Sequence, residues 1–190
     1  MKELGIRRPD PDLTHFAEFP SLGRGIASSS HKTERSPVNI FNALKTDHRN
    51  VKALLAELSA TPEKAIQKRV DLLAKIKTEL VAHNEAEERV FYSQLNEKRE
   101  DRLLVFEGKD EHRIGGQVIE ELEATDKGTE EWTARVKVLK DLVEHHIEEE
   151  EGEIHKQAQK ELTEKEADAL GKEFTALKNE IITALKTLTA

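Results

Sequence analysis

From Phe41 onward the apolar residues recur in alternating steps of three and four, a spacing that suits helices sharing one buried face and excludes strands. Phe41, Leu44, His48, Val51, Leu55 and Leu58 form the first such stripe and predict a helix over about 38–59. Thr61-Pro62 then offers a capping side chain followed by a proline where its missing N–H costs nothing, so a second helix is expected from here to about Lys98. Its inward stripe reads Val70, Leu73, Ile76, Leu80, His83, Glu87 and Val90 or Phe91. A third helix, about 101–124, presents Val105, Gly108, His112, Gly115, Ile119 and Leu122. Thr129 can cap a fourth, with Val136, Leu139, Val143, His146, Glu150 and Ile154 inward.

The segment Thr163-Glu164-Lys165-Glu166 has the form of a capping box. It opens a fifth amphipathic helix with Leu170, Phe174, Leu177, Ile181 and Leu185 on its stripe and no ionisable residue there. That helix reads as structural. Residues 1–36 lack sustained periodicity and hold three of the five prolines, so they read as a partly irregular arm whose Leu13, Phe16, Phe19 and Leu22 could dock as a short strip. The expected architecture is all-α: an up-down four-helix bundle over 37–160, an additional C-terminal helix over 161–190 and an N-terminal arm.

Composition narrows the chemistry. There are no cysteines, which excludes disulfides, thiolate zinc sites, iron–sulfur clusters and cysteine nucleophiles, so any metal must bind through nitrogen and oxygen. A formal charge of −8 argues against a nucleic-acid partner, which needs a basic face to displace counterions. No apolar run approaches the roughly 20 residues that span a bilayer, and the N-terminus lacks a secretory h-region, so a cytoplasmic protein away from membranes is expected. No feature specifies a protein partner.

What interrupts the apolar stripes is histidine and glutamate. His-x-x-x-Glu places both side chains one turn apart on one helical face, and it occurs as His83/Glu87 and His146/Glu150 on alternate helices, which run the same way in an up-down bundle. With His48 and His112 also inward, the interior would hold four imidazoles and two carboxylates, too polar to bury without a compensating cation. Two divalent ions fit better than one, because two carboxylates can bridge a pair and leave the histidines terminal.

Taken singly, His48 or His112 is no more than a polar core residue, and His-x-x-x-Glu is common in a chain with 38 acidic residues. The agreement of helical phase on four stripes is what carries the metal reading. His145/Glu149 satisfies the same spacing, with Leu142 and Val138 on its face; His146 is preferred for its longer apolar phase. His15, His31 and His155 are expected to face solvent, as are the remaining glutamates of the runs Glu85–Glu88 and Glu148–Glu151. A zinc hydrolase fits poorly, since no His-Glu-x-x-His occurs.

Four segments together resemble the hemerythrin-like, His-His-Glu cation-binding family: Asp47-His48-Arg49, His83-Asn84-Glu85-Ala86-Glu87-Glu88, Asp110-Glu111-His112-Arg113 and His145-His146-Ile147-Glu148-Glu149-Glu150-Glu151. The resemblance runs from about Pro37 to His155. It implies a non-haem centre of two iron ions, oxo- or hydroxo-bridged, with manganese or zinc as alternatives. The matching ligand positions are His48, His83, Glu87, His112, His146 and Glu150. Oxygen-carrying hemerythrins have a further histidine one turn beyond the third-helix ligand; here that position is Gly116, with Gly108 on the other side.

One iron should therefore be less fully coordinated, leaving room for water or a small ligand such as dioxygen, peroxide or nitric oxide, and favouring sensing or detoxification over transport. Tyr92 could hydrogen-bond such a ligand or simply pack. The alternative is a metal store or metal-stabilised interaction bundle without catalysis.

Overall fold

The computed structural model describes residues 39–95 and 99–188. The N-terminal arm lies outside the described residues. Helix α1 (Ile40–Ser59) starts at Asn39, whose side chain accepts from the Asn42 N–H and so satisfies a free donor of the first turn. It leads to α2 (Ile66–Val90), a short α3 (Tyr92–Leu95), α4 (Arg99–Ala124) and α5 (Glu130–Glu149). A π turn, Glu150–Ile154, carries α5 directly into α6 (His155–Glu161), and α7 (Glu164–Leu188) follows.

Helices α1, α2, α4 and α5 form the up-down bundle, with α1 against α2 and α5 and α4 against α5 and α2; α7 packs over α1 and α2. The expected caps form at Thr129, which accepts from the Trp132 N–H, and at the Thr163/Glu166 box. In that box the Thr163 N–H donates to Glu166 at 2.8 Å and the Glu166 N–H donates back to Thr163 at 3.3 Å.

Three local expectations are corrected. Helix α2 begins at Ile66 rather than at Pro62, because the Thr61 hydroxyl donates back to the Glu57 carbonyl and the Thr61 carbonyl accepts from Arg69. Arg69 is buried there, over the Trp132 ring at 4.7 Å, and also donates to the Lys127 carbonyl, tying both connections at this end together. Val70 is 39% exposed, and the inner face here is formed by Arg69, Leu72 and Leu73.

Helix α2 also does not continue to Lys98. Val90, Phe91 and Tyr92 are all buried, and a straight helix would turn one of three consecutive residues toward solvent; the chain breaks at Phe91 and restarts.

Two apolar cores result. One gathers Val51, Leu55, Leu58, Leu73, Ile76, Ile119, Leu122, Trp132, Leu139 and neighbours; the other gathers Ile40, Phe41, Leu44, Val90, Phe91, Tyr92, Val105 and Phe174 with neighbours. Truncating a fully buried member such as Leu55 or Leu139 to alanine would cost about 2–5 kcal/mol. Between the cores along the bundle lies the layer of His48, His83, Glu87, His112, His146 and Glu150. Among the described residues no helix is long and apolar enough to cross a membrane.

Candidate metal centre

Each of the four bundle helices delivers one imidazole to the polar layer, and each ring is held in the same way. His48 Nδ1 faces Glu151 at 2.8 Å, His83 Nδ1 faces Asp47 at 3.4 Å, His112 Nδ1 faces Glu88 at 2.9 Å and His146 Nδ1 faces Glu111 at 2.8 Å. A ring that donates Nδ1–H to an outer carboxylate keeps the lone pair on Nε2, and all four Nε2 atoms converge.

At the centre the two carboxylates face both sides. Glu87 Oε2 lies 3.7 Å from His83 Nε2 and 3.5 Å from His112 Nε2. Glu150 Oε2 lies 3.2 Å from His48 Nε2 and 3.7 Å from His146 Nε2. His112 Nε2 and His146 Nε2 stand 3.0 Å apart, close for two lone pairs with nothing positive between them. The donor atoms fall into two groups, His48, His83 and Glu150, and Glu87, His112 and His146, each within 4.8 Å. Glu87 and Glu150 are both 0% exposed.

Both Glu87 oxygens have no hydrogen-bond partner, and His48 Nε2 and Glu150 Oε2, 3.2 Å apart, have no partner beyond each other. Buried orphans of this kind are costly, and cations on the Nε2 side would satisfy them together. The donor set therefore fits a metal pair, with Glu87 and Glu150 spanning both positions.

The electrostatics agree. Burial, and then the Glu150 charge, holds the Glu87 carboxyl well above the usual carboxylate range. Burial pushes Glu150 the same way, but hydrogen bonds from His155 and His48 outweigh it and bring Glu150 well below. Burial pushes His83 down to about 4 and lowers His112 as well. For His48 burial is outweighed by Glu150 and Glu151, and its pKa rises.

The structure turns His146 inward, while His145 is 60% exposed beside Glu149. His155, expected in solvent, is instead 1% exposed, with Nε2 3.0 Å from Glu150 Oε1. The π turn explains the difference: five residues now complete the turn, so His155 stacks over Glu150, where a regular α-helix would place it about 140° away. Glu88 and Glu151, expected to be ordinary surface charge, instead anchor His112 and His48. Helix α7 does carry an ionisable residue inward: Lys178 is buried and pairs with Asp47 at 2.7 Å and Glu79 at 2.8 Å. The alternation of helical faces could have flagged Asp47 and Glu111, each adjacent in sequence to an inward histidine; the π turn left no comparable signal.

A cavity of 380 Å³ opens onto the layer, walled by all four of these histidines and by Gly115 and Gly116. A Cβ at Gly116 would meet nothing within 4 Å. Beside the cavity Tyr92 is buried, its ring parallel to His112 with centroids 5.8 Å apart and its hydroxyl without a partner.

Comparison with known proteins agrees with this fold. A curated protein of Nostoc sp. described as a DNA nickase is 27% identical over 166 residues, covering 85% of this chain; the match spans 44% of that protein's length. The crystal structure of a hemerythrin HHE cation binding domain-containing protein from Mycobacterium kansasii superposes with a TM-score of 0.71 at 24% identity, covering 80% of this chain and 93% of that one. The hemerythrin HHE cation binding domain family matches residues 39–158, and the chain belongs to that family.

Proposed function

We propose that this domain holds two iron ions between His48, His83, Glu87, His112, His146 and Glu150, and that it binds or reacts with dioxygen, peroxide or nitric oxide. The observation that carries the reading is the common orientation of the four imidazoles, each tied at Nδ1 to its own carboxylate with Nε2 turned toward the fully buried Glu87 and Glu150. Bound there, iron would supply reversible one-electron chemistry. The chain's own part is orientation: Asp47, Glu88, Glu111 and Glu151 fix ring rotation and tautomer. Glu87 and Glu150 supply the negative charge that two cations would balance, and Glu87, which keeps its proton to unusually high pH, would release that proton to water when a cation binds.

The cavity supports the choice of a small ligand, since it reaches the layer beside His112 and His146 and Gly116 leaves open space there. The Tyr92 hydroxyl is buried and unpartnered on the ring that stacks against His112, a free donor close to the layer. A formal charge of −8 favours a partner other than a phosphate backbone.

The test is metal analysis of the purified protein with its ultraviolet-visible spectrum before and after anaerobic reduction and re-exposure to oxygen. About two irons per chain and an oxygen-dependent absorption change are expected. Two metals with no spectral response to oxygen, peroxide or nitric oxide would favour a metal-stabilised bundle, and no uptake under iron or manganese loading would overturn the metal reading.

A further inference from the structure

The π turn has one large effect on the site, which is to bring a fifth histidine to it. The His155 backbone N–H donates to the Glu150 carbonyl, five residues back, and its Nε2 lies 3.0 Å from Glu150 Oε1. The ring is nearly parallel to that of His48, at 15° and 6.4 Å between centroids, and stands edge-on to Phe41 at 5.3 Å and Phe91 at 5.9 Å. It is buried more completely than His48, His83 or His146. Turns of this type concentrate at functional sites, and they replace regular helical hydrogen bonds with less common ones.

We propose that His155 is a metal ligand through Nε2, joining His48 and His83 on one ion, so that one position receives three imidazoles and the other, with His112 and His146, receives two. The proposal rests on the two-metal reading above. Two donors at right angles on one ion, each about 2.1 Å from it, stand about 3 Å apart. The separation of His155 Nε2 from Glu150 Oε1 has that value, and the other imidazole–carboxylate separations of the layer run from 3.2 to 3.7 Å. The two Glu150 oxygens are thereby both turned toward imidazole nitrogens, Oε1 to His155 and Oε2 to His48 and His146.

The consequence is asymmetry. Around the position of His48, His83 and His155 stand Phe41, Phe91 and Phe174, the last edge-on to His83 at 5.7 Å, although His48 and His83 also border the cavity. The other side faces the cavity at Gly115 and Gly116 and lies under Tyr92. The cavity borders both pairs, so the number of imidazoles decides: small ligands should bind at the ion held by His112 and His146, which has one fewer.

His155 stands beside the compact group of His48, His83 and Glu150, so the competing role is a hydrogen bond to Glu150 with no coordination. Proton NMR of the Co(II)-loaded protein in water separates the two, because each histidine bound through Nε2 shows one strongly shifted, exchangeable Nδ1–H resonance. His155 Nδ1 is buried and unpartnered between phenylalanines, which slows its exchange. Five resonances are expected in the wild-type protein and four in His155→Gln. Four in the wild-type protein would overturn the ligand assignment and leave the two-metal reading standing; none after cobalt addition would overturn both. The wild-type count decides the matter even if His155→Gln does not fold.

Discussion

Lys178 Nζ lies 2.7 Å from Asp47 Oδ2, across 131 residues of chain, and the same oxygen faces His83 Nδ1 at 3.4 Å. The C-terminal helix therefore reaches the metal layer through one carboxylate. Burial would raise the Asp47 pKa, but hydrogen bonds from His83 and Lys178 outweigh it and hold the side chain ionised. Removing the ammonium leaves Asp47 more negative toward His83. Lys178→Met should raise the pH at which His83 protonates in the metal-free protein, read by imidazole NMR. It should also lower stability by about 1–3 kcal/mol, since two carboxylates lose their partner. An unchanged His83 titration would show that α7 only covers the bundle.

Three of the four outer carboxylates, set against one exposed glutamate, predict a loss of metal affinity. Partners that orient a metal-bound imidazole are typically worth about 10–100-fold in affinity. Glu88→Ala, Glu111→Ala and Glu151→Ala should each weaken binding in that range in a chelator competition, and Glu148→Ala, which alters an exposed side chain, should not. Equal retention by all four variants would sink the idea that these carboxylates set the rings.

Much of this was legible in the sequence because helical phase is a strong signal. His48, Val51, Leu55 and Leu58 had to share a face, and so did Val136, Leu139, Val143, His146 and Glu150; these residues are buried together. His155 was not legible, because a single π turn advances the helix by one residue and inverts the reading of everything beyond it. Lys178 was missed for another reason. Its position is one step from Leu177 on an amphipathic helix, and only the tertiary placement of Asp47 and Glu79 makes burying it favourable. Glu88 and Glu151 sit beside the inward glutamates in acidic runs, where pattern alone cannot tell an anchoring carboxylate from a solvated one.

The two central glutamates differ in what they do without metal. The Glu87 pKa is raised by burial and by Glu150, so the folded state holds its proton above the unfolded value of about 4.5, and the stability this gives is lost as pH rises through the folded value. His83 has the opposite sign: burial lowers it to about 4, so stability rises with pH between about 4 and 6.5. A cation needs both groups deprotonated, so the rise in melting temperature on adding metal should grow between pH 5 and 8. Glu87→Gln should raise the metal-free melting temperature and shrink the metal-dependent rise. Glu150→Gln should lower the metal-free value, because that carboxylate accepts from His155 and His48. A metal increment independent of pH would contradict the assignment.

Two glycines of α4 make a paired prediction, one in open space and one against Tyr92. Alanine is worth about 1 kcal/mol more than glycine in a helix interior. A Cβ at Gly116 meets nothing within 4 Å, so Gly116→Ala should stabilise the fold by up to about that amount. At Gly108 the Cβ would stand 2.6 Å from Tyr92 Oη and 3.2 Å from two ring carbons. Tyr92 is buried and stacked on His112, so the ring cannot swing aside without leaving the imidazole. Gly108→Ala should therefore destabilise by about 1–3 kcal/mol despite its better propensity, the overpacking cost exceeding the helix gain. Tyr92→Phe removes only the hydroxyl, the closest of the three contacts, and Gly108→Ala in that background should recover most of the loss. Denaturant melts of the four proteins in the cycle give the coupling; additive effects would show that Tyr92 Oη does not occupy the space that Gly108 leaves open.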